Sequence, residues 1–276
     1  MLRHKEEKMD INMFYAAEGE KPLDRLCVDG GFTGIFRTIG CVGDSLSSGE
    51  FEGTDANGEK TYHDFYEYSW GQYLARMIGS KVYNFSRGGM SAKQYCEGWA
   101  ESQDFWNEKY ACQAYIIALG VNDIYNMDME LGTIEDIDRD DYRNNKPTFA
   151  GYYGQIIQRL KAISPDAKFF FMTMPTENGS WRTEEKLLRG VAHAKLLHEM
   201  AEFFDNSYVL DFQAYAPVYD TKFRENFYLG GHLNPCGYIL TARMVASYID
   251  YIIRHNMKDF KQVGFIGTPY RNTAEE

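Results

Sequence analysis

An open parallel β-sheet with helices on both faces is the architecture this sequence predicts, and three observations lead to it. Apolar, strand-like runs alternate along the chain with stretches of helical periodicity. The central runs, such as Ala114–Leu119, are apolar without polar alternation, as in strands covered on both sides. Segments that leave the runs are rich in Gly, Ser and Asn. Repeated strand–helix alternation implies crossover connections and therefore a parallel sheet. A chain of 276 residues accommodates one large domain or two small ones, and no repeat, linker or low-complexity tract divides it. One domain over 35–276, preceded by an extension over 1–34, is expected.

The elements follow in order. Residues 1–34 show no sustained period and are punctuated by Asp29-Gly30-Gly31 and Gly34, so they read as an extension that carries a short strand or wraps the domain. Ile35–Val42 is the first buried strand, running into Gly43-Asp44-Ser45-Leu46. The polar, glycine-bearing stretch after it (Ser47, Ser48, Gly49, Gly53, Gly58) reads as a long loop, a rim for substrate. Trp70, Tyr73, Leu74, Met77 and Ile78 share one helical face, and Gly79 can end that helix. Lys81–Phe85 is a second strand delivering Ser86-Arg87-Gly88-Gly89, with a helix starting near Ser91. Ala114–Leu119 is the third, ending in Gly120-Val121-Asn122-Asp123. The acidic stretch 126–146 lacks an apolar face and reads as a solvated insertion, since it lacks the EF-hand calcium pattern. Tyr153, Ile156, Ile157, Leu160 and Ile163 form another helical face, and Phe169–Met174 is the fourth strand. A long helix over Thr183–Phe204, a fifth strand at Tyr208–Asp211 and a C-terminal helix started by Asn234-Pro235 complete the series.

Charge and composition exclude several functions. The 29 Lys and Arg against 40 Asp and Glu leave a net charge of -11, the wrong sign for a phosphate backbone or an anionic membrane surface. The aromatics, 16% of the chain, read first as packing. Cys27, Cys41, Cys96, Cys112 and Cys236 are odd in number and scattered, which indicates neither a disulfide framework nor a zinc site. His193 and His198 lie five apart, not at the i, i+4 spacing of paired metal ligands, and His4, His63 and His255 have no motif around them. No metal and no cofactor are expected. Met1–Lys8 lacks the apolar core of a signal sequence and no run is long enough to span a bilayer, so a cytoplasmic location is expected.

Four loops each offer one polar device: Ser45, Gly89, Asn122 and His232. A serine needs a base to become a nucleophile, and histidine titrates near neutrality, so Ser45 with His232 is a workable pair if the fold joins them. The backbone N–H groups of Ser45 and Gly89 and the amide of Asn122 could then receive an oxyanion. Asp44 and Asp123 read as carboxylates that hold loop backbone or neighbouring blocks.

Gly43-Asp44-Ser45-Leu46, Asn84-Phe85-Ser86-Arg87-Gly88-Gly89, Gly120-Val121-Asn122-Asp123 and His232-Leu233-Asn234-Pro235, in that order, resemble the four sequence blocks of the SGNH, or GDSL, hydrolase family. The resemblance covers about 35–255 and implies a three-layer α/β/α, flavodoxin-like fold of about five strands and ester hydrolysis through an acyl-enzyme. It implies Ser45 as nucleophile and first oxyanion donor, Gly89 and Asn122 as the second and third, and His232 as base. Gly89, not Gly88, is aligned because it lies five residues after Asn84. The family usually carries Asp three residues before the histidine, where this chain has Leu229. Either a backbone carbonyl supports a Ser–His dyad, the favoured reading given Gly230-Gly231, or a carboxylate such as Asp220 or Glu225 reaches the ring.

A serine esterase acting on a small acyl group, such as acetyl on a carbohydrate, is therefore expected. Its alternatives are a lysophospholipase or thioesterase acting on longer chains, and a catalytically silent binding protein, which Leu229 favours. A flavin or nucleotide binder is disfavoured, because the first loop lacks a glycine-rich phosphate cradle. The expected partner is a small-molecule ester, with no nucleic acid and no membrane span.

Overall fold

The computed structural model describes residues 9–275. Met1–Lys8, on which the reading of the N-terminus and His4 falls, lies outside them. Five parallel strands form the central sheet: β1 (Thr38–Gly43), β4 (Lys81–Asn84), β5 (Ala114–Ala118), β6 (Lys168–Met172) and β7 (Ser207–Leu210). Two more, β2 (Glu50–Thr54) and β3 (Lys60–Asp64), pair antiparallel in a separate hairpin. The sheet order is β4-β1-β5-β6-β7, with β1 between β4 and β5. Counting sheet strands alone this is 2-1-3-4-5, the flavodoxin-like order, whose switch point lies between β1 and β5.

Alternation within the strands divides the core in two. Tyr115, Ile117, Phe169 and Phe171 face a layer built with Tyr153, Ile156, Leu160, Leu197 and Met200. Ala114, Ile116 and Phe170 face another built with Trp70, Leu74, Tyr238, Ala242, Val245 and Ile249. Because side chains point alternately to the two faces, a strand buried on both must be apolar at every position, which is why these runs show no polar period. Helices Phe149–Ile163 and Glu184–Phe203 cover the first face, and Trp70–Ile78 and Pro235–His255 cover the second. The caps follow the sequence: Thr183 starts the long helix, Asn234 with Pro235 starts the last, and Gly79 at φ 70° ends Trp70–Ile78.

Three segments differ from expectation. The stretch after Leu46 is largely the β2–β3 hairpin, not a loop. Near Ser91 the helix is only Ala92–Gln94 before it runs into a wider turn broken at Gly98, whose φ is 137°. The first strand begins at Thr38, because a 3-10 turn over Gly31–Ile35 takes up the residues before it.

The extension carries no strand among its described residues and lies along the last helix. Phe32 N donates to Asp250 Oδ1 (2.8 Å), Cys27 N to Ser247 Oγ (2.8 Å) and Thr33 Oγ1 to the Ala246 carbonyl (2.7 Å). The acidic insertion is anchored too, for Asp136 is buried and takes hydrogen bonds from Lys146 Nζ (2.8 Å) and Thr148 Oγ1 (3.0 Å). Only part of it is the solvated surface that its composition suggests.

Candidate active site

Ser45 stands where β1 ends and a one-turn helix, Ser45–Ser48, begins. Asp44 caps that turn by accepting from Leu46 N (3.0 Å), so the local sequence Asp-Ser-Leu fixes both the turn and the serine's place in it. Burial pushes the Asp44 carboxyl up to about 7. The N–H of Ser45 is in the first turn of a helix, where backbone donors lack intrahelical acceptors and are available to an anion.

The neighbouring loops converge on the same place. Gly89 has φ 71°, a left-handed conformation that favours glycine, and nothing lies within 4 Å of where a Cβ would stand. Gly88 is different: a Cβ there would collide with the Glu50 carboxylate, so this glycine makes room for that acid. Asn122 is held at both ends of its amide, its Nδ2 donating to the Met90 carbonyl (3.0 Å) and its Oδ1 accepting from Asn126 Nδ2 (2.7 Å). Only one of the two Nδ2 protons is needed for Met90, and the other is available to the cavity. Asp123 ties this loop to the previous one by accepting from Ala92 N (2.9 Å), and burial pushes its carboxyl up to about 6.

Beneath the loop, His193 is fully buried, with Nε2 3.3 Å from the Leu119 carbonyl. Burial lowers it to about 4, so it is neutral at physiological pH. A Cβ on Gly120, whose φ is 139°, would lie 2.5 Å from that nitrogen, so the glycine and the imidazole fit together as a support for Asn122.

His232 is on a two-residue strand paired with Tyr228–Leu229, just before the last helix. Both of its ring nitrogens face carboxylates of β2: Nε2 is 2.9 Å from Glu50 Oε1, and Nδ1 is 3.2 Å from Glu52 Oε1. Residues 50 and 52 are two apart on a strand and so project to one side. Glu52 is fixed further by Gly231 N (2.6 Å) and Lys60 Nζ (3.1 Å). Burial acts to raise its carboxyl, but Lys60, Gly231 and His232 together hold it below the usual carboxylate range. Glu50 goes the other way, pushed up by burial against the opposing pull of His232. The Tyr62 ring, opposite Glu52 on β3, packs edge-on against the imidazole at 5.9 Å.

The group at His232 Nδ1 is thus Glu52, not the backbone carbonyl favoured from the sequence. Gly230 and Gly231 have a different use from bending toward the ring: a Cβ on either would lie within 2.4 Å of a Glu52 oxygen, so both give that carboxylate space. The two carboxylates considered from the sequence stand elsewhere. Asp220 caps the helix Thr221–Phe227 by accepting from Phe223 N (2.8 Å), and Glu225 is exposed on that helix.

Ser45, Gly89, Asn122 and His232 line one cavity of about 490 Å³, with Glu50, Tyr62, Tyr125, Arg182, Arg224 and Tyr228 in its walls. It opens at the carboxyl ends of β1 and β5, where open α/β sheets place ligands. Glu50, Glu52 and the two arginines were not singled out from the sequence. The signal for the first two was the Glu50-Phe51-Glu52 alternation, returned by Lys60–Asp64 across a turn containing Asn57-Gly58.

A model of the GDSL-like Lipase/Acylhydrolase family matches residues 41–240 of this chain. No curated protein matches it. Among solved structures, a carbohydrate esterase family 2 enzyme with a carbohydrate binding domain, from Corynascus thermopiles (Myceliophthora fergusii), is similar at TM-score 0.52 and 16% identity, over 77% of this chain and 65% of that one. A family two carbohydrate esterase from Clostridium thermocellum in complex with cellohexaose gives 0.50 and 16%, over 81% and 65%. The acetyl xylan esterase AlAXEase gives 0.50 and 15%, over 77% of this chain and 99% of that one. This chain spans about two thirds of the length of the first two, and at these identities the likeness is one of fold.

Proposed function

Starting from the chain's membership of the GDSL-like lipase/acylhydrolase family, we propose that it is a serine esterase that removes a small acyl group, such as acetyl, from a carbohydrate. The observation that carries this reading is the convergence of Ser45, Gly89, Asn122 and His232 on one cavity. Ser45 Oγ attacks the ester carbonyl as His232 Nε2 takes its proton, and the alcohol leaves with that proton as the acyl-enzyme forms. Water, activated by the same nitrogen, then releases the acid. The N–H groups of Ser45 and Gly89 and the Asn122 amide receive the negative charge at each tetrahedral stage.

Glu52 takes the part that Leu229 cannot. A carboxylate at Nδ1 keeps the proton on that nitrogen, leaves Nε2 as the basic one and stabilises the imidazolium that forms. Nε2 faces Glu50, so proton transfer requires that nitrogen to exchange Glu50 for Ser45 Oγ.

The same Glu50 contact favours the competing reading, a cleft that binds a ligand without turning it over. A fluorophosphonate probe separates the two. Labelling at Ser45, lost in Ser45→Ala together with hydrolysis of p-nitrophenyl acetate while the melting temperature stays put, is expected of the esterase. An unlabelled but folded wild-type protein would leave only the binding cleft.

A further inference from the structure

The cavity walls hold two arginines in unequal circumstances. Arg182 is neutralised by Glu177, with Nε 2.5 Å from Oε2. Arg224 has no carboxylate within 4.0 Å among the described residues, although acids outnumber bases in this chain by 40 to 29. The other cavity acids are committed, Glu177 to Arg182 and Glu50 to His232. The Arg224 guanidinium lies between two rings, 4.7 Å from the centre of Trp181 and 4.4 Å from that of Tyr228. Cation–π contact of this kind restrains the guanidinium without using its N–H donors. One long contact, Nη2 to the Gly230 carbonyl at 3.5 Å, is the only hydrogen bond it makes among the described residues.

A cation held rigid, left unpaired and placed in the wall of the cavity that holds the nucleophile suits an anionic group of the substrate. We propose that the ester this site takes is an O-acylated acidic sugar, whose ring carboxylate is gripped by Arg224 while the acyl group is presented to Ser45. A planar fork of N–H donors matches a carboxylate in two parallel hydrogen bonds, which a neutral sugar cannot reproduce. The aromatic walls at Tyr62, Tyr125 and Tyr228 supply apolar faces for the sugar ring. The substrate class rests on the esterase reading above, whereas the carboxylate grip is testable without turnover.

The experiment has two arms. Binding of methyl glucuronoside and of its C6 carboxamide is measured by calorimetry on the Ser45→Ala protein, with and without Arg224→Met. The carboxylate is expected to bind about tenfold or more tightly than the amide, a preference that Arg224→Met abolishes and Arg224→Lys retains in part. Equal affinity for the two ligands, or a preference that survives Arg224→Met in a protein with an unchanged melting temperature, overturns the proposal. In the second arm, acetate release from the mono-O-acetylated forms of both sugars is followed with the Ser45 protein. The carboxylate-to-amide ratio of kcat/KM is expected to fall about ten- to a hundredfold in Arg224→Met, mainly through KM, as loss of uniform binding requires. Carboxylate-selective binding with no acetate release from either sugar would overturn the esterase reading and the substrate class together, leaving an anion-binding cleft.

Discussion

Two basic side chains in this protein are each gripped by two carboxylates. Arg254 is bonded through Nε to Asp250 (2.8 Å) and through Nη1 and Nη2 to Glu20 (2.7 and 2.6 Å). His232 meets Glu50 at 2.9 Å and Glu52 at 3.2 Å. Both clusters are largely buried, with side-chain exposures of 4%, 3% and 13% in the first and 14%, 12% and 11% in the second. What separates them is the chemistry of the basic group. A guanidinium keeps its proton at every physiological pH, so Arg254 acts as a fastening between the N-terminal segment and the last helix. An imidazole exchanges its proton near neutrality, so the same grip around His232 governs a proton instead of a fastening. The partners diverge accordingly: Arg254 holds the Glu20 carboxyl down at about 2, whereas burial raises Glu50.

Removing the basic side chain should break the two clusters in different ways, and this is the largest effect expected. Arg254→Ala leaves two buried carboxylates facing each other, and breaking a buried pair costs about 3–5 kcal/mol, read as a lower denaturation midpoint. His232→Ala, which leaves Glu52 held by Gly231 and Lys60, should lower the midpoint less and lower kcat by several orders of magnitude. Equal losses of stability in both variants would erase the distinction. The Glu20 contribution also has a definite pH window: its folded-state carboxyl lies below the ordinary value of 4.5, so its stabilisation is complete above that value and is lost as pH falls through about 2. The stability gap between wild type and Glu20→Gln should therefore close across that interval and nowhere above it.

The comparison sharpens when the acids of the catalytic cluster are removed singly. Glu52→Gln should lower kcat by about a thousand- to ten-thousandfold, the effect of losing the acid that fixes the tautomer in a serine hydrolase triad. Asp220→Asn and Glu225→Gln should each stay within about tenfold of wild type, because one caps a helix and the other is exposed. Steady-state kinetics on one acetyl ester decides the matter, and a collapse in either of the latter two would remove Glu52 from its role.

Why the sequence yields the sheet and the four loops but not this acid follows from where each signal resides. Ala114–Ala118 and Lys168–Met172 are buried at nearly every position, so their apolar runs are unambiguous. Ser45, Gly89 and Asn122 sit directly after such runs, where spacing alone locates them. The β2–β3 hairpin has few buried positions, so it lacks a core-facing alternation and reads as a polar loop. Glu52 lies on that hairpin, 180 positions from His232, and no local spacing can relate the two. The glycines were visible but their use was not. Gly230 and Gly231 suggest a mobile backbone in isolation, and only the Glu52 carboxylate against them shows that they give room to an acid.

The smallest effect expected tests Glu50, the acid that has no counterpart in a simple triad. Its carboxyl is raised first by burial, against the pull of His232, and further by the charges of Asp64 and Glu52, and its Oε1 lies 2.9 Å from His232 Nε2. A nitrogen in contact with a carboxyl group cannot take a proton from Ser45 until that contact is broken. Glu50 therefore has to ionise and release Nε2, and its raised carboxyl contributes to the acid limb of kcat/KM. Glu50→Gln keeps the size of the side chain and removes the titrating group, so the acid limb should move to lower pH. The rate on the alkaline plateau should change far less, because above the limb Glu50 is already ionised. Glu52→Gln should instead depress the plateau itself, so the two neighbouring acids leave different marks on one pH–rate profile. A limb that stays in place in Glu50→Gln, with the melting temperature unchanged, would show that Glu50 shapes the cavity without holding the proton.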